Sequence, residues 1–186
     1  MVLRDVIICL GDSLTWGSRD ERAEGRGYPP ILAGMLYRNT GKASICLNKG
    51  VTRETSTDVL RRAYDTIRGY PEAQLVLLLA GTNDLKGNPD GDLYRENMRQ
   101  IIECARVCGK RVLVGTLPPV TTMGMWCFPN NVMDGVKYYN EIITGLGCPV
   151  VDFSDMLNYL ADGVHLNHSG YKEMAVRWYE GIRTLI

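Results

Sequence analysis

The stretch Val6-Ile7-Ile8-Cys9-Leu10-Gly11-Asp12-Ser13-Leu14-Thr15-Trp16-Gly17 decides the reading of this chain. Five consecutive apolar residues without polar alternation read as a strand covered on both faces, as in a parallel sheet. The run stops at Gly11, and a serine follows two residues later, at the mouth of the predicted sheet. Residues 43–47, 75–79, 111–116 and 149–152 form four further runs of this kind, with room for a helix in each gap. Leu60, Ala63, Tyr64 and Ile67 predict one apolar helical stripe, and Tyr94, Met98, Ile101, Ile102, Ala105 and Cys108 a second. Tyr171, Met174, Ala175, Trp178 and Ile182 predict a long terminal helix, with Asn167 as its N-cap. Strands alternating with helices predict right-handed crossovers and a three-layer αβα sandwich, an α/β fold built on a five-stranded parallel sheet.

Composition narrows the function classes. A chain of 186 residues with 45% hydrophobic content suits one core, so a single domain over residues 1–186 is expected. Lys plus Arg equal Asp plus Glu at 21 each, so no overall field draws the chain to nucleic acid or anionic lipid, and a small molecule is the expected partner. The apolar run after Arg4 and Asp5 is too short for a signal peptide, and no stretch is long enough to cross a bilayer. The six cysteines, Cys9, Cys46, Cys104, Cys108, Cys127 and Cys148, form no CxxC pair. They read as buried free thiols of a cytoplasmic protein, with export by a signal outside this sequence left open. Residues 117–132 break the pattern: three prolines oppose regular structure, yet Met123, Met125, Trp126 and Phe128 are apolar. Pocket wall and core plug are both open readings of that segment.

Ligands of open parallel sheets bind beyond the carboxyl ends of the strands. Strand ends there carry Gly11-Asp12-Ser13, Asn48-Lys49-Gly50 and Ala80-Gly81-Thr82-Asn83-Asp84, and Asp162-Gly163-Val164-His165 follows the fifth strand. A serine hydroxyl attacks an ester only with a base beside it, and His165 is the candidate base. A carboxylate must orient that base. Asp162 and Asp84 are both available, and Asp162 is preferred because it shares a short loop with His165. The tetrahedral oxyanion needs donors, for which the N–H groups of Ser13 and Gly50 and the side-chain amide of Asn83 are suited. Asp12, Trp16, Arg53 and Trp126 are candidates for the substrate pocket, as is Tyr28. His168 is expected on the first turn of the last helix, exposed and without a catalytic role. Neither cysteines nor carboxylates complete a metal site with the two histidines, so no metal is expected.

Four blocks, Gly11-Asp12-Ser13-Leu14, Gly50 in Asn48-Lys49-Gly50, Gly81-Thr82-Asn83-Asp84, and Asp162-Gly163-Val164-His165-Leu166-Asn167, resemble in order those of the GDSL, or SGNH, hydrolase superfamily. The resemblance spans nearly the whole chain. It implies a flavodoxin-like sheet and serine esterase or lipase chemistry without a cofactor. Ser13 would be nucleophile and oxyanion donor, Gly50 and Asn83 the other donors, and Asp162 and His165 the rest of the triad. Trp16 looks like that of the arylesterases and acyltransferases acting on small acyl groups. Many members carry a second glycine three residues after the block II glycine, where this chain has Arg53. Either Arg53 reaches the site and favours substrates with a carboxylate or phosphate, or it is a surface arginine near Glu54 or Asp58. Hydrolysis of short-acyl esters of sugars or small alcohols is the expected activity. Acyl transfer through the same acyl-enzyme, lysophospholipid cleavage and a non-catalytic ligand-binding module are the alternatives.

Overall fold

The structure, a computed structural model, describes residues 5–20, 26–87, 89–121 and 128–185. Five parallel strands, β1 (Asp5–Gly11), β2 (Ser44–Gly50), β3 (Ala73–Leu79), β4 (Arg111–Gly115) and β5 (Val150–Val151), form one sheet in the order β2-β1-β3-β4-β5. The chain winds outward from β1 to β2 in one direction and from β3 to β5 in the other. The switch point therefore lies between β1 and β3, where the two adjacent strand ends diverge into separate loops. Helices α1 (Ser13–Trp16), α2 (Tyr28–Thr40), α3 (Ser56–Arg68), α4 (Gly91–Val107), α5 (Val132–Thr144) and α6 (His168–Arg183) surround it. Helix α2 packs with α6, α3 with α4, and α4 with α5, giving the flavodoxin-like three-layer arrangement. Among the described residues no helix is long and apolar enough to cross a membrane.

Burial follows the sheet position. β1 and β3 are central and buried along nearly their whole length, while the edge strand β2 is mostly half-buried. The terminal helix keeps its predicted stripe, and Asn167 Oδ1 accepts the Gly170 N–H at 2.9 Å. Trp178 on that stripe is fully buried, edge-on to Phe153 with ring centroids 5.1 Å apart. The α3 stripe differs from the expected one. Ser56, Val59, Ala63 and Ile67 are its buried residues, whereas Tyr64 is exposed. The Thr55–Asp58 capping box makes Ser56 the first helical residue, and the face carrying Ser56 and Val59 is the one turned inward. Tyr28 is a core residue and not a pocket one: it is fully buried against Trp178, at the start of α2 where Pro29 and Pro30 fit the first turn. Of the described cysteines only Cys9 is buried; Cys46, Cys104, Cys108 and Cys148 are half-buried free thiols, and Cys127 lies outside the described residues.

Two glycines seat the first turn after β1. Gly11 and Gly50 are register partners at the ends of β1 and β2. A Cβ on Gly50 would stand 2.1 Å from Trp16 N, and one on Gly11 would stand 2.1 Å from Leu79 O. The backbone of α1 thus rests directly on the end of β2, an approach that any larger residue prevents. Arg62 of α3 closes the arrangement from the other side. Its Nη2 donates to Gly11 O and Lys49 O, each at 3.0 Å, and its guanidinium pairs with Glu54.

Gly50→Ala is expected to destabilise the protein by about 2 kcal/mol or more, because the new methyl meets backbone that cannot yield. Gly34→Ala inside α2, where the methyl meets only the far end of Arg38, is expected to be neutral or stabilising. Urea unfolding midpoints of the two variants check the contrast.

Candidate active site

Asp12 is the N-cap of the short helix α1, its Oδ1 accepting the Leu14 N–H at 2.9 Å. Ser13 is therefore the first helical residue, whose N–H has no intrahelical acceptor and whose side chain stands beyond the end of β1. The loop after β5 supplies the facing group. Asp162 Oδ1 accepts the N–H groups of Val164 at 3.1 Å and His165 at 2.8 Å, which turns the chain so that the imidazole lies over Ser13. His165 Nε2 is 3.0 Å from Ser13 Oγ, and His165 Nδ1 is 2.9 Å from Asp162 Oδ2. The carboxylate accepts the Nδ1 proton, which leaves Nε2 as the acceptor for the serine hydroxyl. Ser13 and His165 are each 6% exposed, so the pair is shielded yet reachable.

Asp84, the alternative acid, is committed elsewhere. Its carboxylate accepts the Ser56 N–H at 2.8 Å and the Ser56 hydroxyl, tying the loop after β3 to the start of α3. Burial raises its pKa in spite of those bonds. Asp162 behaves in the opposite way. Burial would raise it too, but the His165 N–H, the Arg19 guanidinium and the His165 ring together hold its carboxyl at about 2. Arg19 Nε reaches Asp162 Oδ2 at 2.7 Å, a contact that no sequence spacing signals because 143 residues separate the partners.

Asn83 borders the site on the β3 side. Its Nδ2 donates one hydrogen to Glu54 O at 2.9 Å, and Lys86 Nζ donates to its Oδ1 at 2.8 Å. The second Nδ2 hydrogen remains for a ligand. Gly50 departs from the expected role. Its N–H donates to Asn48 Oδ1 at 3.0 Å and it does not line the cavity, because the last residue of β2 serves as the seat of α1. Arg53, three residues on, does line the cavity, and no described group accepts its N–H. Its φ of +69° is the left-handed conformation that favours glycine.

The cavity above Ser13 measures about 360 Å³ and is bordered by Ser13, Trp16, Arg53, Asn83 and His165 among others. Two pocket expectations change. Asp12 is fully buried beneath the serine turn and does not border the cavity, since its carboxylate is used to cap α1. Trp126 lies outside the described residues, as do Met123 and Met125. Of the same segment, Leu117 and Val120 are buried and Phe128 packs on the core. His168 is not exposed as expected. Its Nδ1 lies 3.0 Å from Asp20 Oδ1, and Asp20 Oδ2 accepts the Gly27 N–H, so this pair ties α6 to the loop that follows α1. Among the described residues no three His, Cys, Asp or Glu side chains gather as a metal ion requires.

With this geometry in place, comparison with known proteins is direct. The model of the GDSL-like lipase/acylhydrolase family matches residues 9–173. A curated multidomain esterase of Ruminococcus flavefaciens is 25% identical over 95% of this chain, and the match covers 28% of that protein's length. A carbohydrate acetylesterase from Sinorhizobium meliloti superposes with a TM-score of 0.78 at 17% identity, over 98% of this chain and 100% of that one. The inhibitor-bound aryl esterase of M. smegmatis gives 0.79 at 19% identity with the same coverage. At such identities the two solved structures establish a shared fold.

Burial pushes the Asp12 carboxyl up to about 7, with the Leu14 N–H opposing the shift and Asp84 adding to it. An unfolded aspartate ionises near pH 4, so between about 4 and 7 the folded protein holds one proton more than the unfolded chain, and stability falls as pH rises. Asp12→Asn keeps the cap and removes this titration. Its stability relative to the parent is expected to grow by up to about 1.4 kcal/mol per pH unit across that window. Unfolding free energies from pH 4 to 8 check it; a constant difference rules it out.

Proposed function

Because this chain belongs to the GDSL-like lipase/acylhydrolase family, we propose that it is a carboxylic ester hydrolase in which Ser13 is the nucleophile, His165 the base and Asp162 the acid. The observation that carries this reading is the line of hydrogen bonds from Ser13 Oγ through the imidazole to Asp162 Oδ2, at 3.0 and 2.9 Å, opening onto the cavity. As Ser13 Oγ attacks the ester carbonyl carbon, His165 Nε2 takes its proton, and Asp162 stabilises the imidazolium while remaining ionised. The developing oxyanion is received by the Ser13 N–H and the Asn83 amide, with the Arg53 N–H as the third donor in place of Gly50. The imidazolium then protonates the departing alkoxide. Water attacks the acyl-enzyme, gives its proton to His165, and the acid leaves as Ser13 regains its hydrogen.

The substrate class is a short-acyl ester, of acetyl type, of a sugar or small alcohol. Two facts support it. A cavity of about 360 Å³ sits at the lower end of the range for small-molecule sites, which suits a short acyl group better than a lipid chain. The similar folds include a carbohydrate acetylesterase and an aryl esterase.

Ser13→Ala is expected to lower turnover of 4-nitrophenyl acetate by at least about a thousandfold while the urea midpoint stays within error of the parent. A fluorophosphonate is expected to label the parent protein once, at Ser13. Full activity in Ser13→Ala, or no labelling of the parent, overturns the reading.

A further inference from the structure

The cavity above Ser13 is electrostatically one-sided. Arg19, Arg26, Arg53 and Lys86 all border it, and among the described residues no aspartate or glutamate does. This asymmetry does not follow from composition, because acids and bases balance over the whole chain at 21 each. Elsewhere several arginines are matched with carboxylates, Arg61 with Asp58, Arg62 with Glu54, Arg95 with Asp92, Arg177 with Asp155 and Arg183 with Glu180, while Arg106 and Arg111 bond to Cys148 Sγ and Leu185 O instead. Two of the cavity cations have structural duties as well. Arg19 holds Asp162, and Lys86 holds Asn83 Oδ1 and covers the Phe128 ring. Arg26 and Arg53 are exposed at the mouth, and among the described residues neither pairs with an acid.

A second observation points the same way. Among the described residues only two non-glycine residues have positive φ, Arg19 at +69° and Arg53 at +69°, and both border this cavity. Each conformation costs about 1 kcal/mol that glycine avoids, and such strain persists where a side chain is needed at that point. Side chains of the same charge, at strained positions on one rim, are the arrangement expected of a site that receives an anion.

We propose that the preferred substrate is an ester carrying a separate anionic group, a carboxylate or phosphate, which Arg26 and Arg53 hold at the cavity mouth while its ester carbonyl lies over Ser13. This inference rests on the esterase reading above and narrows its substrate class. Arg53 offers a planar pair of donors that matches two oxygens of such a group, and Arg26 adds charge.

The test compares esters that differ only in charge. 4-Acetoxybenzoate against 4-acetoxybenzamide places the anion on the alcohol part. The mono-4-nitrophenyl ester of adipic acid against 4-nitrophenyl hexanoate places it on the acyl part. At low ionic strength the charged member of at least one pair is expected to show about tenfold higher kcat/KM, the value of one charge-assisted hydrogen bond. The ratio should decline as salt is raised, and it should move toward one in Arg53→Gly and in Arg26→Ala. Arg53→Gly removes the side chain while relieving the backbone, so loss of folding does not confuse the result. Neutral esters turned over by the parent with no charge preference overturn this inference and leave the esterase reading standing. A preference that survives both substitutions overturns it too. Absence of turnover together with absence of fluorophosphonate labelling removes both.

Discussion

The close approach of backbone to backbone at the ends of β1 and β2 is the constraint on which the rest of the site depends. With glycine at 11 and 50, the first turn of α1 sits on the end of β2 at a distance that leaves no space for a methyl group. Arg62 then fixes this junction from beneath by binding Gly11 O and Lys49 O together. Gly11 O also accepts the Val51 N–H at 3.0 Å, so this junction is bonded from both the main chain and Arg62. The position of Ser13 is thereby set by main-chain packing together with the Arg62 and Asp12 side chains that bind this turn. A serine so placed varies little, and the 3.0 Å distance to His165 Nε2 depends on that.

Two carboxylates near Ser13 illustrate how environment divides one chemical group into two states. Asp162 meets two backbone N–H groups, an arginine and an imidazole, and stays ionised down to about pH 2. Asp12, a few ångströms of chain away from the nucleophile, meets one N–H, and its Oδ2 is buried with no partner. Its proton is retained to about 7. The carboxyl held low is the one that touches the histidine, and the one pushed up caps the helix. Exchanging these states would place an unpaired charge beneath the nucleophile and remove the one beside the base.

The parts of this arrangement that are local in the chain were legible in its sequence. Continuous apolar runs marked the strands, Asn167 marked the start of α6, and the short loop from Asp162 to His165 put acid and base together. What depends on three-dimensional approach was not legible. The place of Gly50 at a strand end suggests a donor's role, whereas its close approach to the backbone of α1 is a packing role that no linear motif reveals. Arg62 and Arg19 carry no local signature, since each is defined by partners far away in sequence. The 0, 3, 4, 7 pattern from Leu60 leaves open which neighbouring stripe of α3 faces the sheet, and it is the one with Val59, not Tyr64, that is buried. Helix α2 was hidden by Pro29 and Pro30, which are breakers inside a helix but acceptable in its first turn.

Backbone strain at Arg19 and Arg53 links the packing of the site to its charge. The left-handed turn at Arg53 returns the chain from the end of β2 toward Glu54, whose carbonyl receives Asn83 and whose carboxylate receives Arg62. A glycine would make that turn at lower cost, so the geometry of the loop does not by itself call for arginine. At Arg19 the side chain has a known occupation, the Asp162 carboxylate, and the strain is offset by that ion pair in a partly shielded position. At Arg53 no such partner is present among the described residues. A rim with four cations and, among the described residues, no acid is a place where an external anion would offset that strain.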